Sequence, residues 1–189
     1  LDFATCTECG RCQSQCPAWA TGKPLSPKLM IMNLREASFA KAPYVMAAQK
    51  ANDGANPPLG EVDEAVLAAM PQAVKDAVER PLVGPRDGVE HKDTDGYDAA
   101  GHRDQSGPVI DEDALWSCTT CGACVYQCPV DIEHIDHFID MRRYQVMIDT
   151  SFPAELNGMF KNVETKGNPW GMNASGRNAW IEEVDFEVR

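Results

Sequence analysis

One cysteine motif is spelled twice in this chain. Residues Cys6–Pro17 read CTECGRCQSQCP and residues Cys118–Pro129 read CTTCGACVYQCP, and the two copies take up all eight cysteines of the 189-residue sequence. Each copy is a C-x-x-C-x-x-C triplet followed by Cys-Pro. At this spacing a short looping backbone brings three thiolates round one cube of iron and sulfide, and the fourth iron must find its ligand elsewhere. Structural zinc instead favours C-x-x-C pairs or Cys/His combinations closed by four ligands. Disulfides need an oxidising compartment, and thiols crowded this tightly cannot all find well-shaped partners without strain. Two 4Fe-4S clusters account for every cysteine.

In the bacterial two-cluster pattern the cysteine of Cys-Pro ligates the other cluster. The expected sets are therefore Cys6, Cys9, Cys12 and Cys128 for one cluster, and Cys118, Cys121, Cys124 and Cys16 for the second. Each cluster would then tie together residues far apart in sequence, so loss of iron is expected to unravel the chain. Glu8 and Arg11 of the first copy are replaced by Thr120 and Ala123 in the second. Charge near a cluster alters its potential, so the two clusters are expected to differ.

The segment between the motifs is too long for a compact βαβ arrangement, and it reads as helices with no convincing alternating strand. Ser26-Pro27 is an N-cap followed by a first-turn proline, opening a helix that should end before Pro43, where a second begins and runs to about Lys50. Residues 52–60 read as a loop, followed by helical pieces over Glu61–Met70 and Pro71–Arg80. From Pro81 to Ile110 the sequence turns to Gly, Pro, Asp and His, which predicts a long exposed loop between the two motifs. Its His91 and His102 lack paired ligand spacing. Asp111 should cap a short helix that delivers Cys118. The longest helix is expected from Asp131, acting as N-cap, to about Ile148. His134 and His137 sit three apart on it without a matching carboxylate, which suggests supporting or surface roles. Residues 150–189 form a C-terminal extension with a helix over Ser151–Val163, a turn over Lys166–Gly171 and another helix over Asn178–Val184. Trp19, Trp116, Trp170 and Trp180 are read as core or lid anchors. The expected fold is all-α: a helical ferredoxin domain over residues 1–189 holding two 4Fe-4S clusters, with 81–110 exposed.

Acidic residues number 29 against 17 basic ones, a net charge of -12. This argues against nucleic acid as a partner, since phosphate contacts need clustered Lys and Arg. The apolar runs, such as Leu29–Met32 and Ala65–Met70, are far short of a membrane-spanning helix. A first residue of Leu rather than Met suggests a piece of a longer polypeptide.

The paired motifs, with the runs GKPLSPKLMIMNLR (Gly22–Arg35), ALWSCTTCGACVYQCPVDIEHID (Ala114–Asp136) and GNPWGMN (Gly167–Asn173), resemble the iron-sulfur domain of the heterodisulfide reductase D-like family. The similarity extends to its actinobacterial membrane-bound members, of the type proposed to pass electrons from electron transfer flavoprotein to menaquinone. It covers nearly the whole chain outside Pro81–Ile110. The resemblance implies a multi-domain oxidoreductase at the cytoplasmic face of the cell membrane. Such an enzyme carries a membrane haem b part that meets quinone, this helical ferredoxin, and cysteine-rich CCG domains. Only the eight cluster cysteines carry over, and substrate chemistry would lie outside these residues. Two alternatives stay open: the iron-sulfur subunit of a soluble flavin-fed hydroxy-acid oxidase of glycolate or lactate type, and a structural or redox-sensing cluster domain.

Overall fold

The computed structural model describes residues 2–55, 61–85 and 107–188. They form two compact units, Leu1–Arg142 and Arg143–Arg189.

In the first unit the dominant element is α4 (Pro27–Ala51), 25 residues and about 37 Å long at 1.5 Å per residue. Before it come three single-turn helices, α1 (Asp2–Thr5), α2 (Arg11–Ser14) and α3 (Pro17–Ala20). Ser26 caps α4 through its hydroxyl, which accepts from the Leu29 N–H at 3.2 Å, and Pro27 occupies the first turn, where a missing N–H costs nothing. The expected break at Pro43 does not occur. Proline there removes the bond to the Phe39 carbonyl, but the helix continues because its second half has a core of its own to cover. Tyr44 and Ala48 are buried against Leu67, with Val66, Met70, Val74 and Val78 around them. Those partners belong to α5 (Glu64–Ala68) and α6 (Gln72–Glu79) and the turn between them. The Tyr44 hydroxyl accepts from the Asp63 N–H at 2.8 Å, while the Asp63 carboxylate caps α5 by accepting from Ala65 and Val66.

The segment after α6 corrects the strand-free reading. β1 (Val83–Gly84) pairs in parallel with β2 (Ile110–Asp111), Val83 opposite Ile110. Arg80 adds bonds from Nε to the Gly107 carbonyl and from a guanidinium nitrogen to that of Pro108. The C-terminal end of the expected exposed loop is in fact core, with Val109 1% and Ile110 0% exposed. The rest of that loop, residues 86–106 with His91 and His102, and residues 56–60 of the earlier loop lie outside the described residues.

Asp111 then caps α7 (Glu112–Trp116) as expected, accepting from the Asp113 N–H. α8 (Ala123–Tyr126) lies within the second motif, and α9 (His134–Tyr144) follows it. Leu25, Met30, Leu34, Val109, Ile110, Leu115, Phe138 and Met141 form one core shared by α4, β2, α7 and α9, with Cys16 within it. Truncating a fully buried ring such as Phe138 in a core of this kind costs about 3–5 kcal/mol.

α9 starts later than expected, and Asp131 does not cap it. Asp131 is left-handed, with φ 54°, because the chain after Cys128-Pro129 first turns to aim the Ile132 N–H at the Cys128 sulfur, 3.4 Å away.

In the second unit, a π-helical turn (Gln145–Asp149) ends at Thr150, φ 51°. α10 (Leu156–Lys166) ends at left-handed Gly167. Phe152 and Phe160 pack edge to face with ring centres 5.1 Å apart. Asn168 then staples the next turn, donating to the Met172 carbonyl and accepting from the Met172 N–H. A 3-10 helix (Ala174–Glu183) follows. The unit opens at Arg143. Trp170 and Trp180 are 77% and 50% exposed, so neither is a core anchor, and Trp19 in the first unit is also exposed.

Candidate cluster sites

The two cysteine loops have the same backbone. Gly10 (φ 77°, ψ 0°) and Gly122 (φ 77°, ψ -1°) are the residues before α2 and α8, and two positions earlier Glu8 (φ 59°) and Thr120 (φ 55°) are also left-handed. Alternating left-handed residues coil each loop so that its three thiols converge. A Cβ at Gly10 or Gly122 would meet nothing within 4 Å, so glycine is required by conformation and not by space. Glu8 and Thr120 adopt a conformation unfavourable by about 1–2 kcal/mol for L-residues. Strain of this kind persists only where the surroundings enforce it.

Each loop opens on a small hollow. The first, about 300 Å³ with its mouth included, is lined by Cys6, Cys9, Cys12 and Cys128, together with Ile132 and His134. Its counterpart, about 270 Å³, is lined by Cys16, Cys118, Cys121 and Cys124, with Leu25 and Phe138. Every sequence-predicted site residue thus lies at one hollow or the other, and in both the last cysteine comes from the opposite motif. Cys16 reaches across because it is the residue before α3, buried in the core. Cys128 does so through the turn at Asp131. α2 packs against α8, which sets the two hollows side by side.

The fit to a cluster can be tested on the thiols. All eight are free, and among the described residues no three His, Cys, Asp or Glu side chains converge closely enough for a single metal ion. A zinc site draws its sulfurs to within about 2.3 Å of one point; here they surround a space. Backbone N–H groups point at the sulfurs, from Thr120 to Cys118 and from Ile132 to Cys128, each at 3.4 Å. Such bonds stabilise ligated sulfide and thiolate charge. Burial pushes the Cys12 thiol up to about 11, partly offset by a backbone bond from Gln13 and reinforced by Cys6, Cys9 and Cys128. Burial likewise pushes Cys124 up to about 12, offset by the Val125 N–H and reinforced by Cys118 and by Cys12 of the other hollow. Cys118 is raised too, by burial first, with Cys16 and Cys121 adding to it. Metal charge is what turns such buried thiols into thiolates. The donor set, the hollows and the N–H groups fit iron-sulfur clusters.

Several supporting groups were not visible in the cysteine spacing. Arg35 on α4 donates to the Cys6 carbonyl at 3.3 Å and pairs with Glu8. Arg142 on α9 donates to the carbonyls of Leu115 and Cys118 at 2.7 and 2.6 Å and lies 5.0 Å from the centre of the Trp116 ring. Ser26, besides capping α4, donates to Gln13 Oε1 at 2.6 Å. The apolar run before Arg35 signalled a helix, but no spacing rule connects that helix to a loop so much earlier in the chain. His134 is 1% exposed at the first hollow. Its Nδ1 lies 2.9 Å from the Ile132 carbonyl, which can only accept, so that nitrogen carries the hydrogen. Burial lowers its pKa, keeping the ring neutral. His137 Nε2 lies 3.4 Å from the Asp2 carboxylate, and its ring packs on Phe3.

Paired cysteine loops on a helical frame define an iron-sulfur protein. The 4Fe-4S dicluster domain model matches residues 5–132, and the chain belongs to that family. It is 35% identical to the EtfAB:quinone oxidoreductase of Syntrophomonas wolfei, over 97% of this chain and 22% of that protein. It is also 35% identical to the probable iron-sulfur-binding oxidoreductase FadF of Bacillus subtilis, over 100% of this chain and 24% of that one. A probable membrane-anchored ferredoxin of Chromohalobacter salexigens is 30% identical over 100% of the chain and 23% of its own length. The chain therefore spans less than a quarter of the length of these curated relatives. No solved structure matches it. Among the described residues no helix is long and apolar enough to cross a membrane.

Proposed function

We propose that this chain is the electron-relay module of a membrane-associated oxidoreductase. It holds one 4Fe-4S cluster on Cys6, Cys9, Cys12 and Cys128 and a second on Cys118, Cys121, Cys124 and Cys16. The observation that carries this reading is the pair of adjoining four-thiol hollows, each completed by a cysteine of the other motif. When bound, such clusters supply one-electron chemistry with little change of shape. The chain's own residues fix the thiols, direct N–H groups at them and keep both hollows walled by Ile132, Leu25 and Phe138.

The donor in this reading is an electron transfer flavoprotein or a similar flavoprotein, and the acceptor is a quinone or haem held by membrane parts of the same or a partner polypeptide. The name of the Syntrophomonas relative, with its EtfAB and quinone, supports that pairing, and the membrane-anchored ferredoxin supports a place at the membrane. The cytoplasmic face, a heterodisulfide reductase D-like parent of actinobacterial type and neighbouring CCG domains, with residues 150–189 leading toward them, belong to the same proposal. The test is to mix the complete polypeptide anaerobically with reduced electron transfer flavoprotein and follow EPR. Reduced-cluster signals that appear within mixing and decay on adding a quinone analogue are expected. Clusters that dithionite reduces but the flavoprotein leaves oxidised would overturn the donor assignment.

A further inference from the structure

The two loops share a device that the motif does not contain. In each, the carbonyl of the first cysteine is held by an arginine from a long helix: Arg35 for Cys6 and Arg142 for Cys118. The two guanidinium groups differ in their electrostatic balance. Arg35 is paired with Glu8, the residue in the left-handed position of its own loop. The matching position of the other loop is Thr120, which carries no charge. Among the described residues no carboxylate pairs with Arg142. Its Nε is buried without a hydrogen-bond partner, and its guanidinium carbon lies over the Trp116 ring, 5.0 Å from the ring centre.

We infer that Arg142 and Arg35 are paired positioning residues that set the potentials of the two sites, acting at full charge on the Cys118 site and attenuated by Glu8 on the Cys6 site. A positive charge near a cluster stabilises its reduced, more negative form and raises its potential. The effect is strong where the charge is half-buried and weak where a carboxylate cancels it. Lys28 also lines the first hollow, but it is unchanged in every variant below and so drops out of the differences.

This inference rests on the two-cluster reading, and the experiment separates them. Anaerobic redox titrations followed by EPR are run on the loaded chain as wild type, Arg142→Gln, Arg142→Lys, Arg35→Gln and Glu8→Gln. The centres are assigned by Cys9→Ser and Cys121→Ser, and iron is counted in each sample. Arg142→Gln should lower the Cys118 centre by at least a tenfold shift in the reduced-to-oxidised ratio, about 59 mV for one electron, and leave the Cys6 centre in place. Arg142→Lys should retain most of the wild-type potential. Arg35→Gln should lower the Cys6 centre by less, and Glu8→Gln should raise it. If Gln and Lys at position 142 behave alike, the role is structural and the inference fails. It fails equally if iron is complete and Glu8→Gln leaves the Cys6 centre unmoved, a result that does not depend on the stability of any Arg142 variant. Wild-type protein that lacks iron after reconstitution would instead overturn the two-cluster reading.

Discussion

Residues 6–17 and 118–129 are the same loop solved twice, and they part company at their last cysteine. After Cys16 the chain enters α3 at once, with Pro17 in its first turn. After Cys128 it passes through a left-handed Asp131 before α9 begins at His134. The triplets match because three thiols must reach one space, and only a narrow set of backbone angles does that. The exits differ because each must reach the opposite hollow from a different side, Cys16 from within the core and Cys128 from a turn that donates its own N–H. The repeat therefore keeps the geometry that gathers ligands and leaves the neighbours free to make the two sites electrically distinct.

The comparison can be broken most severely by removing iron. Since each hollow draws on both loops, anaerobic chelation should melt both together, read by circular dichroism as one cooperative loss of helix in Leu1–Arg142. Two separated transitions would mean that the loops are independent.

A smaller and one-sided effect belongs to Ser26. Only the first loop is tied to the α4 cap, through Gln13, since the matching residue of the second is Val125. Ser26→Ala should destabilise the loaded chain by about 2 kcal/mol, the upper end for a lost cap. Iron should escape first from the Cys6 site, followed by the EPR centre that Cys9→Ser removes.

Gly10→Ala and Gly122→Ala should each cost about 1 kcal/mol in chemical denaturation, and the same amount, since both have φ 77° and empty surroundings. Unequal costs would show that the loops are less alike than their angles.

The smallest effect is one of pH. Burial pushes the Cys12 and Cys124 thiols up to about 11 and about 12. Their protons are therefore held until the cluster displaces them. Because those protons must leave before the thiolates can bind, cluster uptake should be more complete at about pH 8.5 than at about 7, measured by iron bound per chain on reconstitution.

Much of this was legible in the residues, for local reasons. Ser26-Pro27 and Asp111 announced helix starts because a cap acts within one turn of itself. The cysteine triplets announced a site because their spacing is its geometry. What failed to show depended on contacts distant in sequence. Pro43 reads as a stop until Tyr44 and Ala48 are seen to be buried on α5 and α6. Val109 and Ile110 read as loop until β1 pairs with Ile110 and Asn33 donates to the Val109 carbonyl. Asp131 reads as a cap because aspartate suits both a cap and a left-handed turn, and only the Cys128 sulfur decides between them. Tryptophan suggests a core on size alone, yet Trp170 is 77% exposed.

The crossing of the ligands is most directly tested by matching losses. Cys9 and Cys121 are the exposed members of their triplets, so serine at either should remove one EPR centre with little disturbance elsewhere. Crossed ligation predicts that Cys128→Ser removes the same centre as Cys9→Ser, and Cys16→Ser the same centre as Cys121→Ser. If Cys128→Ser instead matched Cys121→Ser, each loop would be closing its own cluster, and crossed ligation would be contradicted.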